Sequence, residues 1–327
     1  MSTLRGKLRW VLAWAGLWLA LVATALAGPI EDVSQASYTS YLGVAAPGSP
    51  PGILYTHLGD NRGNGPEHDL ARTNILNTLL GFGLTTYLDP FVVGGNTYYN
   101  VVATKPGLVN PGTIYILGAH YDSVNNPGAD DNASGVAGVL EAARVLSAYN
   151  FAATLIFIAF DREEQGLWGS NAYATAHATD NIQGMVSLDM IAYNPAGATH
   201  DTALIYGRSS SNPLKLALAA ALAAQGITAS IQGQLDASDH APFEWQGKQA
   251  ALLIEGAVWS NPNYHQPTDS VDTLNYIDYY YATQMTRGAV AYVTGAAGLL
   301  ENNNIPEPSC VVLLIVFGAI RLRRLRR

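Results

Sequence analysis

A single cysteine, Cys310, is the only thiol in 327 residues, and it sits close to the C-terminus. The body of the chain therefore holds neither a disulfide nor a thiolate zinc site, and any metal there must be held by histidine and carboxylate. A chain of this length buries enough core to fold without disulfide staples, even outside the cytoplasm. Charge is also scarce, at 13% of residues against 49% hydrophobic. Basic residues are scarcest in the middle. Of 17 Lys and Arg, eight lie at the ends (Arg5, Lys7, Arg9, Arg321, Arg323, Arg324, Arg326 and Arg327), leaving nine in residues 28–304 against 24 acidic residues, a net charge of -15. So acidic a body repels phosphate backbones, so nucleic acid is not expected as a partner. It suits metal cations, or substrates that carry a free amine.

The two ends read as export signals. Residues 1–27 have the order of a signal peptide: a basic start, an uncharged apolar stretch from Trp10 to Leu26, and the small-x-small site Ala25-Leu26-Ala27 before Gly28 and Pro29. An uncleaved anchor, a transmembrane helix, is the alternative, since the run is nearly long enough to span. At the other end stand Ile305-Pro306-Glu307-Pro308, a short apolar run to Ile320 and the arginine cluster. This 305–327 tail resembles the PEP-CTERM sorting signals of Gram-negative envelope proteins. The resemblance implies two partners, the export machinery and a membrane protease that processes the tail, with a plain tail anchor as the alternative. On either reading the body, residues 28–304, is expected outside the cytoplasm, in the cell envelope or beyond it, and held transiently by the apolar tail.

Within the body, strand and helix patterns alternate, with no internal repeat and no low-complexity linker. The expected architecture is a single α/β domain with a central, twisted, mixed and mostly parallel β-sheet and helices on both faces. Helices are expected over 66–80, 134–149, 168–177, 213–225 and 276–299. Strands are expected over 84–93, 97–104, 113–119, 154–160, 184–190, 202–207, 227–232 and 249–255.

Polar residues appear where the apolar strands stop. The run ending at Ala119 is followed by His120 and Asp122, Thr154 to Phe160 by Asp161, Glu163 and Glu164, and Gly184 to Leu188 by Asp189. In open α/β sheets, sites gather beyond the carboxyl ends of the strands. Spacing alone does not make these strands neighbours. His120-Tyr121-Asp122 reads as a metal ligand with a carboxylate that orients its ring, or as a surface histidine near a turn. Gly128-Ala-Asp-Asp-Asn-Ala-Ser-Gly135 reads as a turn and helix cap, which does not by itself require three acidic or amide residues in succession, or as a source of a bridging carboxylate at Asp131. Asp161-Arg-Glu-Glu164 is a solvated acidic loop, or it divides into Glu164 as ligand and Glu163 as general acid/base. Asp189 at the end of an apolar run is costly unless paired or metal-bound. His265 lies in a loop of turn formers and depends on the company it keeps.

Together, His120-x-Asp122-Ser123, Pro127 to Gly135, Glu163-Glu164, Asp189, Ser238-Asp239-His240 and Tyr264-His265 occur in an order similar to that of the co-catalytic di-zinc exopeptidases, metallopeptidase clan MH. That group includes secreted bacterial leucyl-type aminopeptidases. The resemblance runs from about residue 60 to 300. It implies two Zn²⁺ per chain bridged by Asp131, with His120 and Asp189 completing one shell and Glu164 and His265 the other. It further implies Glu163 as general base for a zinc-bridged hydroxide, Asp122 orienting His120, and Tyr264 donating to the oxyanion. Asp239 and His240 are expected to support the site. The implied activity is an exported aminopeptidase acting on peptides with a free N-terminus. Alternatives are a carboxypeptidase, for which Arg144, Arg162, Arg208 and Arg287 are the candidate carboxylate anchors, a glutaminyl cyclase, or a non-catalytic envelope binding protein on this fold.

Overall fold

A computed structural model of the chain describes residues 28–45, 52–195 and 201–300. The expected signal peptide at 1–27 and the expected sorting tail at 305–327 lie outside these residues. Among the described residues no helix is long and apolar enough to cross a membrane. Val33 to Leu300 form one compact unit.

Eight strands form one sheet: β1 (Thr85–Val93), β2 (Asn96–Lys105), β3 (Asn110–His120), β4 (Ala153–Phe160), β5 (Asn181–Leu188), β6 (Thr202–Tyr206), β7 (Thr228–Ile231) and β8 (Ala250–Glu255). Their order is β1-β2-β4-β3-β5-β8-β6-β7. The four central strands, β4, β3, β5 and β8, run parallel. The β1/β2, β2/β4 and β6/β8 pairs are antiparallel, and β6/β7 is parallel. Central parallel strands are covered on both faces and so read as unbroken apolar runs, as the fully buried β4 and β8 do.

Among the described residues seven α-helices accompany the sheet: α1 (Gln35–Leu42), α2 (Pro66–Gly81), α3 (Gly135–Ser147), α4 (Trp168–Ala176), α5 (Asn212–Ala223), α6 (His240–Trp245) and α7 (Tyr279–Ala297). Successive side chains of a strand point to opposite faces. Ile156, Ile158 and Phe160 of β4 share a cluster with Tyr173 and Ala174 of α4 and Phe243 of α6. Leu155, Phe157 and Ala159 are buried on the other face, where α3 packs against α7 and α1. The mixed, mostly parallel sheet between two helical layers is the one expected.

Three local features differ from expectation. Helix α3 starts at Gly135, because residues 129–134 form a separate wide turn with non-helical angles at Asp131 and Asn132 and a cis Asp131–Asn132 peptide. Strand β5 stops at Leu188, before Met190 at φ 53. Helix α7 begins only where Asp278 caps it, accepting from the backbone N–H of Tyr281 at 3.0 Å. Two helices have no counterpart in the expectations. α1 spans 8 residues and α6 spans 6, both too short to display a helical period.

Gly135 fixes the junction that matters most for the site. A Cβ there would collide with the carbonyl of Leu188. The start of α3 can therefore lie directly on the end of β5, which brings Asp131 beside Asp189.

Candidate metal centre

The strand order places the ends of β4, β3 and β5 side by side, and the charged residues that follow them converge. His120 is the last residue of β3. Its Nε2 lies 3.3 Å from Asp131 Oδ1 and 3.5 Å from Asp189 Oδ1. His265 approaches from the loop before α7, with Nε2 at 3.1 Å from Asp131 Oδ2 and 3.3 Å from Glu164 Oε2. The two carboxylate oxygens of Asp131 thus face two different imidazoles. Ligand atoms of His120, Glu163 and Asp189 lie within 4.8 Å of one another, as do those of His120, Asp131 and Glu164. His120, Asp131, Glu164, Asp189 and His265, the five expected ligands, meet here, and the expected base Glu163 lies beside them.

The segments that carry these side chains are held from behind. Asp269 accepts the backbone N–H groups of Asp130 and Asp131 at 2.7 and 3.1 Å. Asn132 donates to the Leu188 carbonyl at 2.8 Å and accepts from Gly135 N–H and Met190 N–H at 2.9 and 3.2 Å. The turn that carries Asp131 is thereby tied to the end of β5. Ser238 Oγ donates to Asp189 Oδ2 at 2.7 Å. Asn261 donates to both Asp130 and Glu255, at 2.9 and 3.0 Å, and so anchors the loop that ends in His265.

Asp122 plays a wider part than the sequence indicated. His120 Nδ1 lies 3.2 Å from the backbone carbonyl of Asp122 and 3.6 Å from its carboxylate. The carboxylate accepts the backbone N–H groups of Glu163 and Glu164, at 3.1 and 3.3 Å. Asp122 therefore positions the acidic pair as well as the histidine. Tyr264 stacks on the ring of His265, centroids 3.8 Å apart. Burial pushes its phenol above the usual range, so it remains a proton donor near neutrality. Asp239 and His240, at the start of α6, are fully buried, and their side-chain oxygens and nitrogens lack hydrogen-bond partners. Asp239 bears on Glu163 through its charge, in keeping with a supporting place.

The electrostatics call for a cation. Without one, burial pushes Glu163 well above the usual carboxyl range. Burial and the neighbouring Asp131 push Glu164 up to about 7. Burial likewise raises Asp239 to about 7. Burial would raise Asp131 too, but the hydrogen bonds from His120 and His265 outweigh it and hold that carboxyl below its usual range. Hydrogen bonds to Asp131 and Glu164 raise His265 to about 10. Glu164 Oε1 is buried with no hydrogen-bond partner. A buried carboxylate oxygen without a proton donor is costly unless it meets a metal. Two imidazoles and several carboxylates, with no thiolate, form a donor set that fits zinc.

The cluster opens onto a cavity of about 150 Å³ whose other walls are apolar: Met190, Leu235, Leu252, Ile254, Val258 and Trp259. No lysine or arginine among the described residues lines it. The four candidate carboxylate anchors are engaged elsewhere. Arg144 pairs with Glu141 at 2.7 Å and Arg208 with Glu244 at 2.9 Å. Arg162 donates to the Gly63 carbonyl at 2.7 Å and Arg287 to the Val33 carbonyl at 3.0 Å. Ser238 stands in the Ser238-Asp239-His240 motif without an expected role of its own, and Asp269, Asn261 and the apolar walls were not singled out as site residues from sequence. Asp269 had a local signal, an acidic residue closing the Tyr264–His265 loop.

Residues 100–293 match the family model described as Peptidase family M28. Leupeptin-inactivating enzyme 1 of Streptomyces exfoliatus is 30% identical over 319 residues, covering 85% of this chain and 70% of that protein. Among solved structures, an aminopeptidase from Aneurinibacillus sp. strain AM-1 is 33% identical with a TM-score of 0.53, covering 64% of this chain and 50% of that one. This chain therefore spans only about half the length of the Aneurinibacillus protein. The Legionella pneumophila LapA aminopeptidase, at 21% identity, shares the fold with a TM-score of 0.68, covering 84% of this chain and 74% of its own.

Proposed function

The chain belongs to peptidase family M28, the zinc metallopeptidases, and from that premise we propose that it is an exported aminopeptidase that removes single residues from the N-termini of peptides, using two zinc ions shared by Asp131. The observation that carries the proposal is the placement of Asp131, with Oδ1 toward His120 and Oδ2 toward His265. A carboxylate so placed can give one oxygen to each of two cations. His120 and Asp189 would hold one of them with Asp131, and Glu164 and His265 the other. Two such ions would bring a water molecule's pKa down toward roughly 7 and draw charge from the scissile carbonyl.

The remaining steps belong to side chains. Glu163 takes the proton of the attacking water on its carboxylate and returns it to the departing amine. The hydroxyl of Tyr264 donates a hydrogen bond to the carbonyl oxygen as negative charge gathers there. Asp122 holds the backbone of Glu163 so that its carboxylate keeps its place during the transfer. The substrate's free α-amine sits among the acidic groups, which restricts cutting to N-terminal residues. A carboxypeptidase needs a basic side chain for its substrate's carboxylate, and no lysine or arginine among the described residues lines the cavity.

The N-terminal export signal and the PEP-CTERM-like tail support passage through the inner membrane and processing by a membrane protease. Amino-acid arylamides, assayed with purified protein before and after a chelator and again after zinc is restored, test the activity. Hydrolysis that disappears and returns is the expected result. Hydrolysis indifferent to the chelator contradicts it.

A further inference from the structure

Strands β3, β4 and β5 run parallel and carry the metal cluster at one end, so their starts form the opposite end of the sheet. At about 3.3 Å per residue, the 8 residues of β4 put roughly 25 Å between the two ends. That far end, the base, is finished by the short run before β3. Leu108 and Val109 are exposed there, at 64% and 61%, yet their backbone is fully engaged. Leu108 N–H donates to the Phe151 carbonyl at 2.9 Å, and the N–H groups of Val109 and Asn110 donate to the Ala152 carbonyl at 3.1 and 2.7 Å. Gly107 N–H donates to Thr154 Oγ1 at 3.0 Å. Pro106 and Pro111 have no N–H to offer. From residue 106 to residue 111, no backbone donor needs water, which is the condition an apolar medium imposes.

The end of the body lies against the same residues. Ala152 N–H donates to the Gly298 carbonyl and Leu300 N–H to the Asn150 carbonyl, both at 2.8 Å. Leu299 between them is 40% exposed. The base is also where an acidic molecule lacks acid. None of residues 105–113, 147–153 and 294–300 is acidic, and Lys105 is their one charged residue. Asp180, just before β5, pairs with His177 at 2.7 Å, and Lys248 donates to its backbone carbonyl at 2.6 Å. Beyond Leu300 the sequence continues through residues 301–310 to an apolar run at 311–320 and the arginine cluster.

We propose that the base is a membrane-docking surface, on which Leu108, Val109 and Leu299 enter the headgroup–acyl boundary of a phospholipid bilayer while the metal cluster faces the water. The inference rests on the reading of the tail as a membrane-bound segment, and not on the peptidase chemistry. The run at 311–320 has about half of the roughly 20 residues that span a bilayer, so a second apolar contact adds to the hold that the tail gives alone. Residues 301–310 reach at most about 35 Å when extended. Such a tether keeps the body near the bilayer without turning it. The base turns it, because acidic faces are repelled by lipid phosphates and the base is not. Substrate then enters the cavity from the aqueous side, which suits free peptides and not chains embedded in the bilayer.

The test uses the full chain with Cys310→Ser, which removes the one native thiol. A single Val109→Cys or Val92→Cys substitution then carries an environment-sensitive fluorophore. Val92 is as exposed, at 68%, but lies on β1 at the end of the sheet that carries the cluster. Each chain is reconstituted with phosphatidylcholine–phosphatidylglycerol vesicles that contain nitroxide-labelled lipid. The probe at 109 should shift to the blue and lose emission to the nitroxide, since interfacial apolar groups sit about 5 to 10 Å deep. The probe at 92 should do neither. Vesicle-bound chain with an unquenched probe at 109, or with equal quenching at both positions, overturns this inference and leaves the reading of the tail standing. A blue shift at 109 that grows with protein concentration and is not quenched assigns the base to a second copy of the chain, and also overturns it. Chain that stays in solution overturns the reading of the tail and this inference together.

Discussion

Asp122 Oδ1 accepts the backbone N–H of Glu163 at 3.1 Å, a bond that ties the end of β3 to the loop after β4. The same carboxylate takes the N–H of Glu164 and lies beside His120. One buried aspartate therefore orders a proposed ligand on each side of Asp131 together with the proposed base between them.

Asp122→Ala should weaken both metal binding and turnover. Loss of an outer partner of this kind costs about 10- to 100-fold in metal affinity or activity. Zinc titration against a competing chelator, with kcat measured at saturating metal, checks it. A variant with wild-type affinity and wild-type kcat would leave Asp122 no positioning role.

Glu163→Gln should keep the metal and lose the chemistry. The amide cannot take a proton from water, so turnover should fall by about 10²-fold or more. Metal content should stay at the wild-type level, because the proposed ligands are other residues. If instead the variant loses metal, Glu163 is a ligand, a role its distance to His120 and Asp189 also permits.

His265→Ala should remove one ion and spare the other. His265 is the more exposed imidazole, at 37% against 1% for His120, and it faces only Asp131 and Glu164. Metal analysis after dialysis should give about one ion per chain in the variant. Loss of both ions, or of neither, speaks against the assigned shells.

Metal should stabilise the fold more as pH rises. In the ion-free protein, burial raises Glu164 and Asp239 to about 7. A carboxyl raised on folding contributes stability that is present below its unfolded value and is lost as pH climbs through the folded one. Ion-free protein should lose that contribution between about pH 4 and 7, whereas bound cations compensate the charge. The Tm gap between zinc-loaded and chelated protein should widen from pH 5 to 8. A constant or shrinking gap contradicts the cluster's electrostatics.

His240 should make the fold acid-sensitive by the opposite sign. Burial holds its imidazole down to about 3, against 6.5 in the open chain. Below pH 6.5 the unfolded chain binds a proton that the folded protein refuses, so stability falls as pH falls through that window. Wild-type protein should lose more Tm between pH 7 and 5 than His240→Gln. Equal losses would show that His240 is not buried as a neutral ring.

Much of this arrangement was legible in the sequence because each central strand is an apolar run that ends abruptly in charge. His120, Glu164 and Asp189 announce themselves that way, and so does the acidic turn at Asp131. Which strands stand next to each other was not legible, since adjacency is set by crossovers that leave no local trace. The hold of Asp122 on Glu163 was hidden for the same reason: the donors lie 41 and 42 residues away on another strand's loop. Helices α1 and α6 are too short for a period to show. The cavity wall at Leu235 lies in an irregular segment held by Arg208 through Asp236 and by Lys215 through the Gln232 carbonyl, and none of these residues belongs to a recognisable pattern.

The central claim is that Asp131 stands between two cations. An anomalous difference map from crystals of zinc-loaded protein tests it most directly. Two peaks are predicted, each about 2.0 to 2.2 Å from an oxygen of Asp131, one beside His120 and Asp189 and the other beside Glu164 and His265. A single peak, or two peaks with Asp131 bound to only one, would contradict the account.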